Sequence, residues 1–71
     1  DLSGIDFYSD DEFFIVSDQS QKLILWSISS GLKQEYSLDF EKAEGVAFNP
    51  ATNMVYVVSD ATGKLYTYRM N

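Results

Sequence analysis

Phe14-Ile15-Val16-Ser17-Asp18, followed by Lys22-Leu23-Ile24-Leu25-Trp26-Ser27-Ile28, returns later in the chain as Tyr56-Val57-Val58-Ser59-Asp60, followed by Lys64-Leu65-Tyr66-Thr67-Tyr68-Arg69-Met70. The serines at 17 and 59, and the lysines at 22 and 64, are each 42 residues apart. Each copy reads as a buried strand, a polar turn and a second strand. A period in the low forties with two or more strands per unit points to a β-propeller blade.

The echo extends upstream. Glu44-Gly45-Val46-Ala47-Phe48 answers Ser3-Gly4-Ile5-Asp6-Phe7 at an offset of 41. The change from 41 to 42 falls in a turn, where Asn49-Pro50-Ala51-Thr52-Asn53 stands against Tyr8-Ser9-Asp10-Asp11-Glu12. Turns are where insertions cost least, so the drift supports the repeat. Strands are expected over residues 2–8, 13–17, 22–28 and 33–38, and again over 44–48, 54–59 and 64–70. The pattern predicts an all-β chain: a four-stranded antiparallel blade in residues 1–41 and three strands of a second in 42–71. Phe14, Val16, Tyr56 and Val58 are expected to pack blade against blade, with Trp26, Tyr66 and Tyr68 between blades or over the sheet rim. Gly4, Gly31, Gly45 and Gly63 are isolated and read as strand starts and turns, not as a phosphate-cradling loop.

Composition narrows the chemistry. At 71 residues the chain holds one small domain at most, and it has neither cysteine nor histidine. Disulfides, thiolate metal sites and the commonest general base are therefore excluded, and no serine has a histidine to activate it. The net charge of −6 argues against nucleic acid, whose phosphates need clustered Lys and Arg. No apolar run has the length of a membrane span, and no signal peptide opens the chain. A start at Asp1 points to a processed chain or an excerpt. Closed propellers have about four to eight blades, so one and three-quarter blades need partners: the remaining blades of a parent propeller, or copies of the chain itself. An unpaired edge at residues 64–70 predicts that the chain alone is not a well-behaved monomer.

Leu2-Ser3-Gly4-Ile5, Val16-Ser17-Asp18, Val58-Ser59-Asp60, Glu44-Gly45-Val46-Ala47 and Lys64-Leu65-Tyr66 carry a resemblance to the SdiA-regulated propeller family. More distantly the chain is similar to esterase-like and calcium-dependent phytase propellers, NHL repeats and gluconolactonase-like propellers. The resemblance implies a fragment of a six-bladed propeller that is often exported (periplasmic, cell-surface or secreted), with a small-molecule ligand or calcium near the central channel. The chain departs from a phytase site, because most of the acidic and basic residues such a site uses are absent.

In an up-and-down blade, the start of the first strand and the turn between the second and third share one rim. That places Ser3, Glu44, Asp18 and Asp60 together. Glu44 and Ser3 are candidate ligand-binding residues, and Glu44, Asp18 and Asp60 are candidate oxygen ligands for Ca2+. No catalytic residue is assigned. A competing reading has each Ser-Asp pair capping its turn, the Asp oxygen accepting backbone N–H bonds. Glu44 escapes that reading, since its counterpart is Ser3. Asp10-Asp11-Glu12 reads as a solvated charge run on the opposite rim. The function expected is a scaffold or ligand-binding segment of a propeller domain without a complete active site. The alternatives are part of a calcium-dependent phytase-like or esterase-like hydrolase, or a protein-interaction propeller.

Overall fold

A computed structural model describes residues 4–17 and 21–70. These form seven strands: β1 (Gly4–Phe7), β2 (Glu12–Ser17), β3 (Lys22–Ser27), β4 (Gly31–Ser37), β5 (Ala43–Asn49), β6 (Met54–Ser59) and β7 (Lys64–Arg69). They make two antiparallel meanders, one ordered β1-β2-β3-β4 and the other β5-β6-β7. The described residues contain no helix, and hence none long and apolar enough to cross a membrane.

The 42-residue offset holds in the backbone pairing. Ile15 lies opposite Ile24, and Val57 opposite Tyr66. Phe7 pairs with Phe13, whereas Phe48 pairs with Val55, so the one extra residue sits in the β5–β6 turn, where the sequence places it. Turn hydrogen bonds repeat as well. The Ile28 N–H donates to the Asp11 carbonyl at 2.8 Å, and the Met70 N–H donates to the Asn53 carbonyl at 2.8 Å. Each hairpin also needs one left-handed residue ahead of its second strand: Gln21 (φ 52°) in the first and Gly63 (φ 65°) in the second. Gly63 adopts it freely. Gln21 bears a cost of roughly 1–2 kcal/mol for its Cβ. A 3.0 Å hydrogen bond from Gln21 Nε2 to the Phe40 carbonyl offsets about 1 kcal/mol of that and ties the turn to the crossover between the sheets.

The sheets stack face to face. Phe14, Val16, Leu23 and Leu25 form the inner face of the first and are almost wholly buried. Against them lie Val55 and Val57, both fully buried, flanked by Val46, Phe48, Tyr66 and Tyr68. Here the structure corrects the expected packing set: Val58 is 47% exposed and Tyr56 only half-buried. The reason is geometric. The two sheets are stacked facing the same way, so the front of the first meets the back of the second. Residues 42 apart share a sheet position and therefore cannot share an interface, and strand alternation hands contact to the neighbours at 55 and 57.

The gap between the sheets is a wedge. It is narrowest at β1 and β5, where a side-chain carbon on Gly4 would lie 3.0 Å from Gly45 Cα and 3.2 Å from the Val46 nitrogen. Only glycine permits that approach. Beside it, the rings of Tyr8, Phe14 and Phe48 sit with centroids 4.9–5.6 Å apart. Farther out, the crossover sends Leu38 and Phe40 into the gap, and Phe40 stacks on Tyr66 at 3.8 Å and 6°. Beyond these, among Leu23, Tyr36, Leu38, Tyr68 and Met70, a cleft of about 370 Å³ stays open.

Adjacent valines test this sidedness. Val57→Ala should lower stability by about 2 kcal/mol, the transfer of two methyl groups plus a residual cavity. Val58→Ala in dilute solution should stay within about 0.5 kcal/mol of the parent. Urea unfolding measures both, and equal losses would contradict the face assignment.

Candidate functional site

The rim expected to carry ligands is built from the crossover, the start of β5 and the β6–β7 turn. Ala43 pairs with Ser59 and Gly45 with Val58, which leaves Glu44 as the extra residue of a β-bulge. Bulges re-aim a side chain and disturb a ladder, and Glu44 is accordingly exposed. Asp60 follows Ser59 at the same end of the sheet and is also exposed. The register therefore brings Glu44 and Asp60 to one rim. Ser3 and Asp18 lie outside the described residues.

Most polar capacity of this rim is used in holding the crossover. The Ser59 hydroxyl, buried, donates to the Glu41 carbonyl at 2.7 Å and accepts from the Thr62 N–H at 3.2 Å. The Asp60 N–H donates to the carbonyl of Lys42, itself left-handed at φ 56°. In the second unit the turn is thus capped by the serine of the Ser-Asp pair, not by the carboxylate expected to do so. Among the described residues no hydrogen bond or ion pair reaches the Glu44 or Asp60 carboxylates, and no group of three or more acidic side chains converges as a metal cage would.

The opposite rim holds the denser polar network, and it centres on Asp11. Oδ2 accepts from the Ser27 hydroxyl at 2.7 Å and from the Ser29 hydroxyl at 2.8 Å, while Oδ1 accepts from the Ser29 N–H at 3.1 Å. The Ser27 oxygen accepts in turn from the Ser30 N–H at 3.1 Å. One carboxylate thus organises the β3–β4 turn from a neighbouring loop. The Ser27 and then the Ser29 hydroxyl hydrogen bonds hold the Asp11 carboxyl below its ordinary value of 3.8. This corrects the reading of the 10–12 run as merely solvated. The repeat carried a hint, since Asn53 occupies the matching turn position, but three consecutive acids disguised the capping one.

Asp6 is a second acid with a structural task. Its Oδ2 accepts the Phe48 N–H at 2.8 Å, joining β1 to β5 at the narrow end of the wedge, and its Oδ1 accepts the Phe7 N–H at 2.9 Å. Its repeat counterpart is Ala47, so periodicity gave no warning. A further cleft of about 420 Å³ opens between Phe7, Tyr8, Asp10, Phe48 and Pro50. Ser9 also lines it, and its hydroxyl donates to Glu12 Oε1 at 3.2 Å in an exposed turn. In the outer cleft, burial first, then Asp39 and Tyr66, pushes the Tyr68 phenol above 10.0 and keeps it protonated.

No family model matches this chain, and no curated protein matches it.

The Asp11 network makes a pH-dependent prediction. A carboxyl whose folded pKa is depressed stabilises the fold above its unfolded value and loses that contribution as pH falls through the folded one. Asp11→Asn should therefore melt below the parent at neutral pH, and the two melting curves should converge as pH drops below 3.8. A difference that persists undiminished in acid would assign the loss to geometry instead of charge.

Proposed function

We propose that the chain is a scaffold segment of a β-propeller domain, in which ligand binding is completed by groups outside these residues. One observation carries the reading. The 42-residue repeat is obeyed by the β2–β3 and β6–β7 register, by the hydrogen bonds of Ile28 to Asp11 and Met70 to Asn53, and by the left-handed pair Gln21 and Gly63, in two meanders that splay from a tight inner seam. Radially arranged sheets of this kind are how a propeller surrounds a channel. The seam strands β1 and β5 are the innermost, and the bulged Glu44 belongs to one of them, at the rim where a ligand of the assembled ring would approach.

The rival hydrolase reading asks this rim to hold calcium, which takes about six to eight oxygen ligands. Glu44 and Asp60 supply too few by themselves. Calorimetric titration with calcium chloride is the test. The scaffold reading expects no saturable heat at micromolar concentrations for either the parent or Glu44→Gln. Micromolar binding in the parent that disappears in Glu44→Gln would replace it with the hydrolase reading.

A further inference from the structure

We propose that the outer face of the three-stranded sheet is a docking surface for the outer face of the four-stranded sheet of a second copy of this chain, joined head to tail. The inference rests on the propeller reading, since it treats the internal packing of the two sheets as one step of a series.

Gly45 supplies the first observation. Gly4 is glycine because the backbone of β5 presses against it, at 3.0 Å from the position a side-chain carbon would take. Gly45 is its repeat counterpart, lies within β5, and has nothing within 4 Å of that position. It has no positive φ that would demand glycine. A strand-interior glycine weakens its strand unless a bulge or the close approach of another backbone uses it. Gly45 flanks the bulge at Glu44 and meets Gly4 on its inner side, while on the side where its own Cβ would point no described residue fills the space. The same seam repeated outward brings the Gly4–Ile5 backbone of a second copy against Gly45.

The exposed apolar residues supply the second. Ile5, Phe7, Trp26, Ile28 and Leu32 are 40–65% exposed on the outer side of the first sheet, with half-buried Phe13, Ile15 and Ile24 among them. Val58 and Leu65, 47% and 58% exposed, lie on the outer side of the second. Adding 42 to Phe13, Ile15, Ile24 and Trp26 gives Val55, Val57, Tyr66 and Tyr68, the inner face of the second sheet. Adding 42 to Phe14, Val16, Leu23 and Leu25 gives Tyr56, Val58, Leu65 and Thr67, its outer face. The two exposed faces are therefore counterparts of the two that already pack together, and every large exposed apolar side chain among the described residues lies on one or the other. Such a contact is heterologous, and the wedge between sheets turns each added copy about the inner strands.

Mixing two blocked variants tests this arrangement. Sedimentation should show the parent self-associating with a Kd on the order of 10–100 μM. Trp26→Glu disables one face and Gly45→Val the other, so each alone should sediment as an 8.1 kDa monomer. Mixed in equal amounts, they should form a one-to-one dimer through the two faces left intact, and Phe7→Glu should substitute for Trp26→Glu. A parent that stays monomeric, single variants that associate as the parent does, or a mixture that stays monomeric would each overturn the proposal. Gly4→Ala separates that failure from failure of the propeller reading. If it lowers the melting temperature while the parent stays monomeric, the internal seam stands and only docking of a copy is lost. If it melts with the parent, the seam and the reading built on it fall together.

Discussion

At Gly4, two backbones that are not hydrogen-bonded as a ladder come close enough to leave no room for a side chain between them. That contact sets the separation of the sheets at their inner end, and the rest of the packing adjusts to it. The Asp6 carboxylate reaches the Phe48 N–H because β1 and β5 are already side by side. The Tyr8, Phe14 and Phe48 rings fill the first widening of the wedge, and Phe40 stacked on Tyr66 fills the next. The hydrophobic term holds the faces together, but it has no direction of its own. The glycine gives it one.

Stacking in a common orientation has a further effect on the side chains. In the proposed series a sheet is apolar on both sides, because its front serves one neighbour and its back another. The first sheet is apolar over β1, β2 and most of β3 on its outer side, but the ion pair of Lys22 with Glu35 lies at the β4 end of that side. Ile5, Ile15 and Ile24 form one row across its outer side, and Phe7, Phe13, Trp26 and Leu32 form another. The second sheet is more mixed outside, with Thr67 and Arg69 beside Leu65. The 6.1 Å edge-to-face contact of Phe7 with Phe13 shows the outer side ordered by its own rings.

Strand positions were legible because period-2 alternation and the 42-residue echo act locally, and both survive in the register from β2 through β7. The first sheet's share of the interface, Phe14 and Val16, is as expected, but the second sheet's share was misplaced for a reason the repeat itself conceals. Equivalence by sequence marks residues in the same place on successive sheets, whereas contact joins different places, so Phe14 meets the side of Val55 and Val57 instead of its counterpart Tyr56. The polar tasks were harder to read. Asp6 bonds a strand 42 residues away, and Phe40 sits in a crossover without periodicity. Asp11 acts through Ser27, the last residue of β3, and Ser29 just beyond it. Each depends on where the chain returns, which no local pattern encodes. The candidate rim was readable only as far as register reaches: Glu44 and Asp60 do share an end of the second sheet.

Both sheets are meanders, with every ladder joining strands that are consecutive in the chain. Loop closure in each is therefore short, and the conformational entropy of pairing is met a few residues at a time. Single hairpins of this kind form in about 1–10 μs. The long-range contacts are those between the two sheets. In chain order every strand of the first sheet precedes β5, so the face that carries Gly4 can be complete before β5 is added to it.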